Sequence, residues 1–182
     1  FNLTATELGY LATSGTVTIG RTTGTGTISV GGNGATNLSA TTYNLTIEGL
    51  TSPVAIAANT LTLGSGKTLT FSNGGDITVT AGATHISIGG AGTIAFLQVG
   101  SVGASGNPLV VSVANLGAST LSGGLYLQDV TALTVNGAIT AVGVDINAGT
   151  NALIVSNPIA AGTGNLILTA DTLSIGANVS GT

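Results

Sequence analysis

The side chains able to do acid, base or metal chemistry are few and scattered: the carboxylates Glu7, Glu48, Asp76, Asp129, Asp145 and Asp171, the cations Arg21 and Lys67, and a single imidazole, His85. Cleavage of an acidic polysaccharide would need clustered acids, often with calcium, and a base to take a proton. No base lies near these acids in sequence, so the chain reads as a non-enzyme with no catalytic residues and no cofactor. Asp145 and Asp171 are 26 apart and could meet on adjacent turns of a coiled chain, where only a bridging cation would relieve their repulsion. They form the one weak metal candidate; solvated or turn-capping aspartates are the simpler reading. Asn73-Gly-Gly-Asp76 has the order of one unit of a glycine-aspartate calcium repeat, but it occurs once. His85 precedes Ile86, whose inward direction sends His85 outward beside Ser87, so without a second His or a Cys it reads as an exposed side chain. Gly64-Ser-Gly-Lys67-Thr68 ends like a phosphate loop but lacks the first glycine and a following helix, which makes Lys67 a turn lysine.

Something must position these groups, and the composition limits what it can be. Of 182 residues, 30 are glycine and 31 threonine, and only 4% are charged, against about 25% in an ordinary soluble domain. With 43% hydrophobic residues in strict alternation, the chain has material for a core. No apolar run approaches the roughly 18 residues of a membrane-spanning helix, so no membrane insertion is expected. Arg21 and Lys67 alone cannot neutralise a run of phosphates, which excludes nucleic acid as a partner, and the net charge of −4 points the same way. There is no cysteine, hence no disulfide framework or thiolate site. The chain starts at Phe1 without a charged segment ahead of an apolar one, which reads as an excised or processed piece without a signal peptide.

Residues 1–14 depart from the strand pattern. Thr4 and Glu7 have capping-box spacing, and Leu8 and Leu11 follow at i and i+3, which predicts a single helical turn near residues 5–12, weakened by Gly9. Apolar residues then recur two apart: Val17 and Ile19, Ile28 and Val30, Leu45 and Ile47, Val54 and Ile56, and without a break from Leu61 to Phe96. This is the period-2 signal of strands with one buried face. Gly31 to Thr42 reads as a long loop. From Leu97 to Gly124 the spacing loosens, with one clear strand at Leu109, Val111 and Val113 between glycine-rich flanks that are expected to bulge outward. Leu125 and Leu127, Leu133 and Val135, Val144 and Ile146, Leu153 and Val155, Leu166 and Leu168, and Leu173 and Ile175 restore the rhythm. No second domain is visible.

Hairpin turns of the Asn-Gly or Asp-Gly type are nearly absent, and there is no length for helical crossovers. What remains is an all-β solenoid with about three short strands per turn, each strand pairing with its counterpart one turn along. Three spacings of about eight give turns of about 24 residues, hence roughly seven or eight turns. Ile47, Phe71 and Phe96 would then lie above one another as a structural core stack. Pro53 and Pro158 support the register weakly, each lying eight before Leu61 or Leu166. Ordering the backbone costs about 1–2 kcal/mol per residue and burying an aliphatic side chain returns about 1.5–3, so stability must accumulate by stacking. The terminal strand edges carry almost none of the lysine, proline or inward charge that protects edges, so the ends are expected to be covered by more of the same chain or by an identical subunit.

Phe1-Asn-Leu-Thr-Ala-Thr-Glu-Leu8, Gly15-Thr-Val-Thr-Ile-Gly-Arg21, Gly24-Thr-Gly-Thr-Ile-Ser-Val30 and Gly164-Asn-Leu-Ile-Leu-Thr-Ala-Asp-Thr-Leu-Ser-Ile-Gly176 resemble repeats of filamentous-haemagglutinin-like proteins, large exported bacterial adhesins. The likeness covers most of the chain in style. It implies a right-handed parallel β-helix over residues 1–182, one section of a longer repetitive chain or stacked assembly. It also implies secretion to the bacterial cell surface or medium, and a structural or adhesive role. The partners expected are neighbouring turns of the same chain or identical subunits, and host or environmental surface glycans. The amino-terminal secretion domain usual in that family has no counterpart here.

Two further patterns bear on function. Thr-x-Thr pairs at Thr16/Thr18, Thr25/Thr27, Thr60/Thr62, Thr68/Thr70 and Thr78/Thr80 raise ice binding, but they recur at about eight residues and so are expected on successive faces, as ordinary filler of a charge-poor surface. Asn2, Asn37, Asn44 and Asn178 begin Asn-x-Ser/Thr sequons, several of them on strands, and read as incidental. The reading is therefore a rigid scaffold segment of a surface fibre, with a self-stacking filament subunit as the alternative and a carbohydrate-active or ice-binding β-helix as a lesser one.

Overall fold

The computed structural model describes residues 4–32 and 34–181. The chain opens with α1 (Ala5–Gly9), closed by a complete capping box: Glu7 N–H donates to Thr4 Oγ1, and the Glu7 carboxylate accepts from the Thr4 N–H at 2.8 Å and hydroxyl at 2.9 Å. These bonds hold the Glu7 carboxyl below its usual range. The helix stops at Gly9, short of the 5–12 span, with Tyr10 as its C-cap.

The rest is strand and corner. The first turns comprise β1 (Thr16–Gly20), β2 (Ile28–Val30), β3 (Thr36–Leu38), β4 (Asn44–Ile56), β5 (Leu61–Leu63), β6 (Thr68–Val79), β7 (Ile86–Ile88) and β8 (Thr93–Val99). The middle contains β9 (Leu109–Ser112), β10 (Asn115–Leu116), β11 (Ser119–Leu121) and β12 (Gly124–Asp129). The last turns are β13 (Leu133–Val135), β14 (Ile139–Ala141), β15 (Gly143–Asn147), β16 (Ala152–Val155), β17 (Ile159–Ala161), β18 (Leu166–Thr169), β19 (Thr172–Ile175) and β20 (Val179–Gly181).

Every pairing between these strands is parallel, and each strand pairs with its equivalents one turn before and after, which is the topology of a β-solenoid. One sheet runs β3, β5, β7, β9, β12, β15, β18, so about seven turns are stacked. The alternating apolar residues point inward throughout, and the interior forms one continuous cluster from Leu8 to Ala161. Ile47 pairs with Phe71, and Phe71 with Phe96. All three are buried, and the two rings stack at a centroid distance of 5.7 Å and an interplanar angle of 13°.

Three expectations need correction. The Gly31–Thr42 stretch is not only loop: Thr36–Leu38 is strand β3, pairing with β5, its single large apolar residue being too weak a signal alone. The glycine-rich flanks of the strand at 109–113 divide: residues 104–106 form an exposed turn, whereas the flank after Val113 does not bulge but supplies β10 and β11. The turn length is also not constant near 24. On the β3 side, Thr36, Leu61, Ile86 and Val111 follow at intervals of 25, whereas Ile139, Ile159 and Val179 follow at 20.

Candidate functional site

Most polar groups singled out in the sequence serve the coil itself. His85 is buried, not outward: its ring lies against the ladder, where Val110 N–H donates to Nδ1 at 3.0 Å. Nδ1 must therefore carry a lone pair, which places the proton on Nε2, 2.8 Å from the Thr80 carbonyl that accepts it. Alternation failed at His85 because it precedes β7, at a corner where side chains need not follow the pleat. The imidazole joins turn to turn and leaves no nitrogen for a metal.

Asp129 is the buried carboxylate. It ends β12, accepting from Thr131 N–H and Thr131 hydroxyl at 2.7 Å each and from Val113 N–H at 3.3 Å. Desolvation outweighs these bonds and pushes its pKa up to about 6. Asn73 lies buried where β4 and β6 turn a corner, its amide donating to the Ser52 and Gly75 carbonyls at 2.8 Å each, while its Oδ1 has no partner among the described residues. Gly74 beside it has φ +67°, and a Cβ there would strike the Leu50 carbonyl, so only glycine passes this corner. Asp76 Oδ1 accepts from Ser101 N–H at 2.6 Å, so Asn73 and Asp76 serve corners of the coil.

The structure does not bring Asp145 and Asp171 together. Asp145 pairs across strands with Tyr126 on one side and Ile167 on the other, and Asp171 donates its N–H to the Asn151 carbonyl in a turn. Among the described residues there is no group of three or more His, Cys, Asp or Glu that could hold a metal. Lys67 sits in a turn, its N–H bonded to the Gly64 carbonyl.

The threonine pairs divide. Thr60/Thr62, Thr68/Thr70 and Thr78/Thr80 do fall on successive faces, but Thr18, Thr46 and Thr70 stack in register on one face beside Thr16, Asn44, Thr68 and Thr93. Asn44 and Ala95 interrupt the two columns. Of the sequons, Asn37 and Asn44 lie on β3 and β4, Asn178 precedes β20, and Asn2 lies outside the described residues.

One outward cluster was missed in the sequence. In β12, β15 and the approach to β18, Gly124, Gly143 and Asn165 form one outward column, and Tyr126, Asp145 and Ile167 the next. They line a groove of about 210 Å³ together with Ser105. Ser105 sits in a loop pinned by an Ala104–Asn107 bridge and by the Asn107 amide, which donates to the Val79 carbonyl at 2.9 Å. Tyr126 and Asp145 are 19 residues apart, so a 24-residue repeat places them out of register, and only the shortened turn aligns them. A larger space of about 540 Å³ lies at the amino-terminal mouth, between α1 and the first turns.

No protein-family model, curated protein or solved structure matches this chain. Among the described residues, no helix is long and apolar enough to cross a membrane.

Proposed function

We propose that this chain is a rigid scaffold segment of an exported bacterial surface fibre, of the kind its repeats resemble in filamentous-haemagglutinin-like adhesins. The observation that carries the reading is the unbroken parallel stack. Core columns continue from turn to turn, and the polar side chains buried within them are spent on holding corners together. Stacked strands lie about 4.8 Å apart, so seven turns extend roughly 30 Å along the axis, and length grows by adding turns without redesigning any.

The last turn supports extension. Leu173 and Ile175 pair with the buried Leu153 and Val155, yet they are 44% and 47% exposed. They occupy core positions on an edge that can accept a further parallel strand. The same edge favours a second reading, end-to-end stacking of copies into a filament. Against head-to-tail stacking, α1 lies over the opposite mouth on the β3 side, with Leu8 buried and its carbonyl accepting from the Tyr43 hydroxyl at 3.0 Å.

Antibody raised against the 182-residue chain should label filaments on intact source cells; label confined to the cytosol would overturn the proposal. Sedimentation of the purified chain separates the two readings, since a subunit that stacks must grow with concentration.

A further inference from the structure

We infer that the groove between β12, β15 and β18 is a binding site for a neutral saccharide, with Tyr126 as its stacking platform and Asp145 as its principal hydrogen-bond acceptor. The inference stands on the groove alone and does not depend on the scaffold reading.

Four polar side chains converge there with no hydrogen bond to spend elsewhere. Asp145, Tyr126, Asn165 and Ser105 all line the groove, and none of their side-chain polar groups has a hydrogen-bond partner among the described residues. This contrasts with Asp76, Asp129, Asn73 and His85, whose polar atoms are engaged by the coil. The floor is glycine: Gly124 and Gly143 pair directly, and Gly164 lies alongside Gly143. A Cβ on Gly124 would stand 2.8 Å from the Tyr126 ring, so the ring leans back over Gly124 along its own strand. Tyr126 is the single aromatic residue on the outer faces of the described strands; Tyr43, Phe71 and Phe96 are buried and Tyr10 adjoins α1.

An aromatic face held beside a carboxylate, an amide and a hydroxyl suits a pyranose. The C–H face of the sugar meets the electron-rich ring, and its hydroxyls donate to the acceptor-only carboxylate and exchange bonds with Asn165 and Ser105. A concavity of about 210 Å³ lined by a few placed polar groups is the form that small-ligand sites take. Charge sets the class. The groove has one anion and no cation; Arg21 and Lys67 lie in other turns, so an acidic sugar would be repelled by Asp145 with nothing to compensate.

The test is a titration of the isotopically labelled 182-residue chain, followed by amide chemical shifts. The probes are trisaccharides of β-1,4-glucose, α-1,4-glucose and β-1,4-mannose, with trigalacturonate as the acidic counterpart. At least one neutral trisaccharide should shift the amides of Gly124, Gly143 and Asn165, with a dissociation constant on the order of 1 mM. Tyr126→Ala should weaken that binding more than about tenfold and Tyr126→Phe by no more than about twofold, as stacking requires. Gly143→Ala checks the site without threatening the fold, because its Cβ would make only ordinary contacts of 3.5 Å while filling the floor. It should weaken binding about fivefold or more, at an unchanged melting temperature. No shift with any neutral trisaccharide at about 10 mM would overturn the inference. So would equal binding of trigalacturonate, or undiminished binding by Tyr126→Ala.

Discussion

The first four turns and the last three solve the same packing problem at different widths. In the first part the register advances mostly by 24 or 25 residues, and by as many as 28 between β1 and β4, in the last by about 20. An enclosed cross-section grows roughly as the square of its perimeter, so the wide turns have about half as much interior again to fill, at the close packing that protein interiors require. They fill it with Tyr43, Phe71 and Phe96, and tolerate buried Ser52, Asn73 and His85 at their corners. The narrow turns use Leu, Ile and Val, with Ala141, Ala148 and Ala161 also buried in the core. Turn length and side-chain volume therefore change together. Asp129 marks the seam: there β12 pairs with β9 at an interval of only 18, and its carboxylate takes up the Val113 N–H.

The largest expected effect breaks the wide part at its filler. Phe71→Ala should cost about 3–5 kcal/mol in urea denaturation, against about 1.5–3 for Val155→Ala in the narrow part. Equal losses would mean that perimeter and volume are not coupled. Next comes the seam. Because the Asp129 pKa is raised to about 6 from 3.8, the folded state holds its proton more tightly than the unfolded chain does. Stability from this group is thus fully present below about pH 4 and is lost as pH rises through 6, by up to about 3 kcal/mol. Denaturation midpoints measured from pH 4 to 7 should fall accordingly, and Asp129→Asn should flatten that slope.

His85→Ala follows, at about 1–3 kcal/mol, since it strands the Val110 N–H and the Thr80 carbonyl between wide turns. Hydrogen exchange at Val110 should quicken selectively. The smallest effect sharpens the comparison inside the narrow part. Leu153→Ala, covered by β19, should cost about 2–5 kcal/mol, whereas Leu173→Ala at the uncovered edge should cost less than about 1. A similar loss at both positions would show that the last turn is covered in solution.

Strands with two large apolar residues were legible, because alternation of Leu, Ile, Val and Phe with Thr and Ser has one physical meaning. The side built from β11, β14, β17 and β20 was not. Ile139-Thr-Ala141, Ile159-Ala-Ala161 and Val179-Ser-Gly181 each offer one large apolar residue followed by a small one, the pattern of a turn as much as of a strand. The burial of His85 was hidden because corners break the inward and outward alternation. The pairing of Tyr126 with Asp145 was not legible, since their neighbourhood depends on a turn length that no single strand reveals.

By itself the sequence determined that the chain coils: strands too short and turns too close for hairpins or crossovers leave stacking as the way to bury alternate residues. It also determined, through the spacing of Ile47, Phe71 and Phe96, which residues share the interior of the wide turns. Tertiary structure alone decided where the coil narrows, because turn length is set by corner loops whose glycines and small residues carry little pattern. That narrowing brings Tyr126 beside Asp145 and sends Asp145 away from Asp171. Register over many turns is cumulative, so a few residues lost at one corner reassign every outward neighbour beyond it.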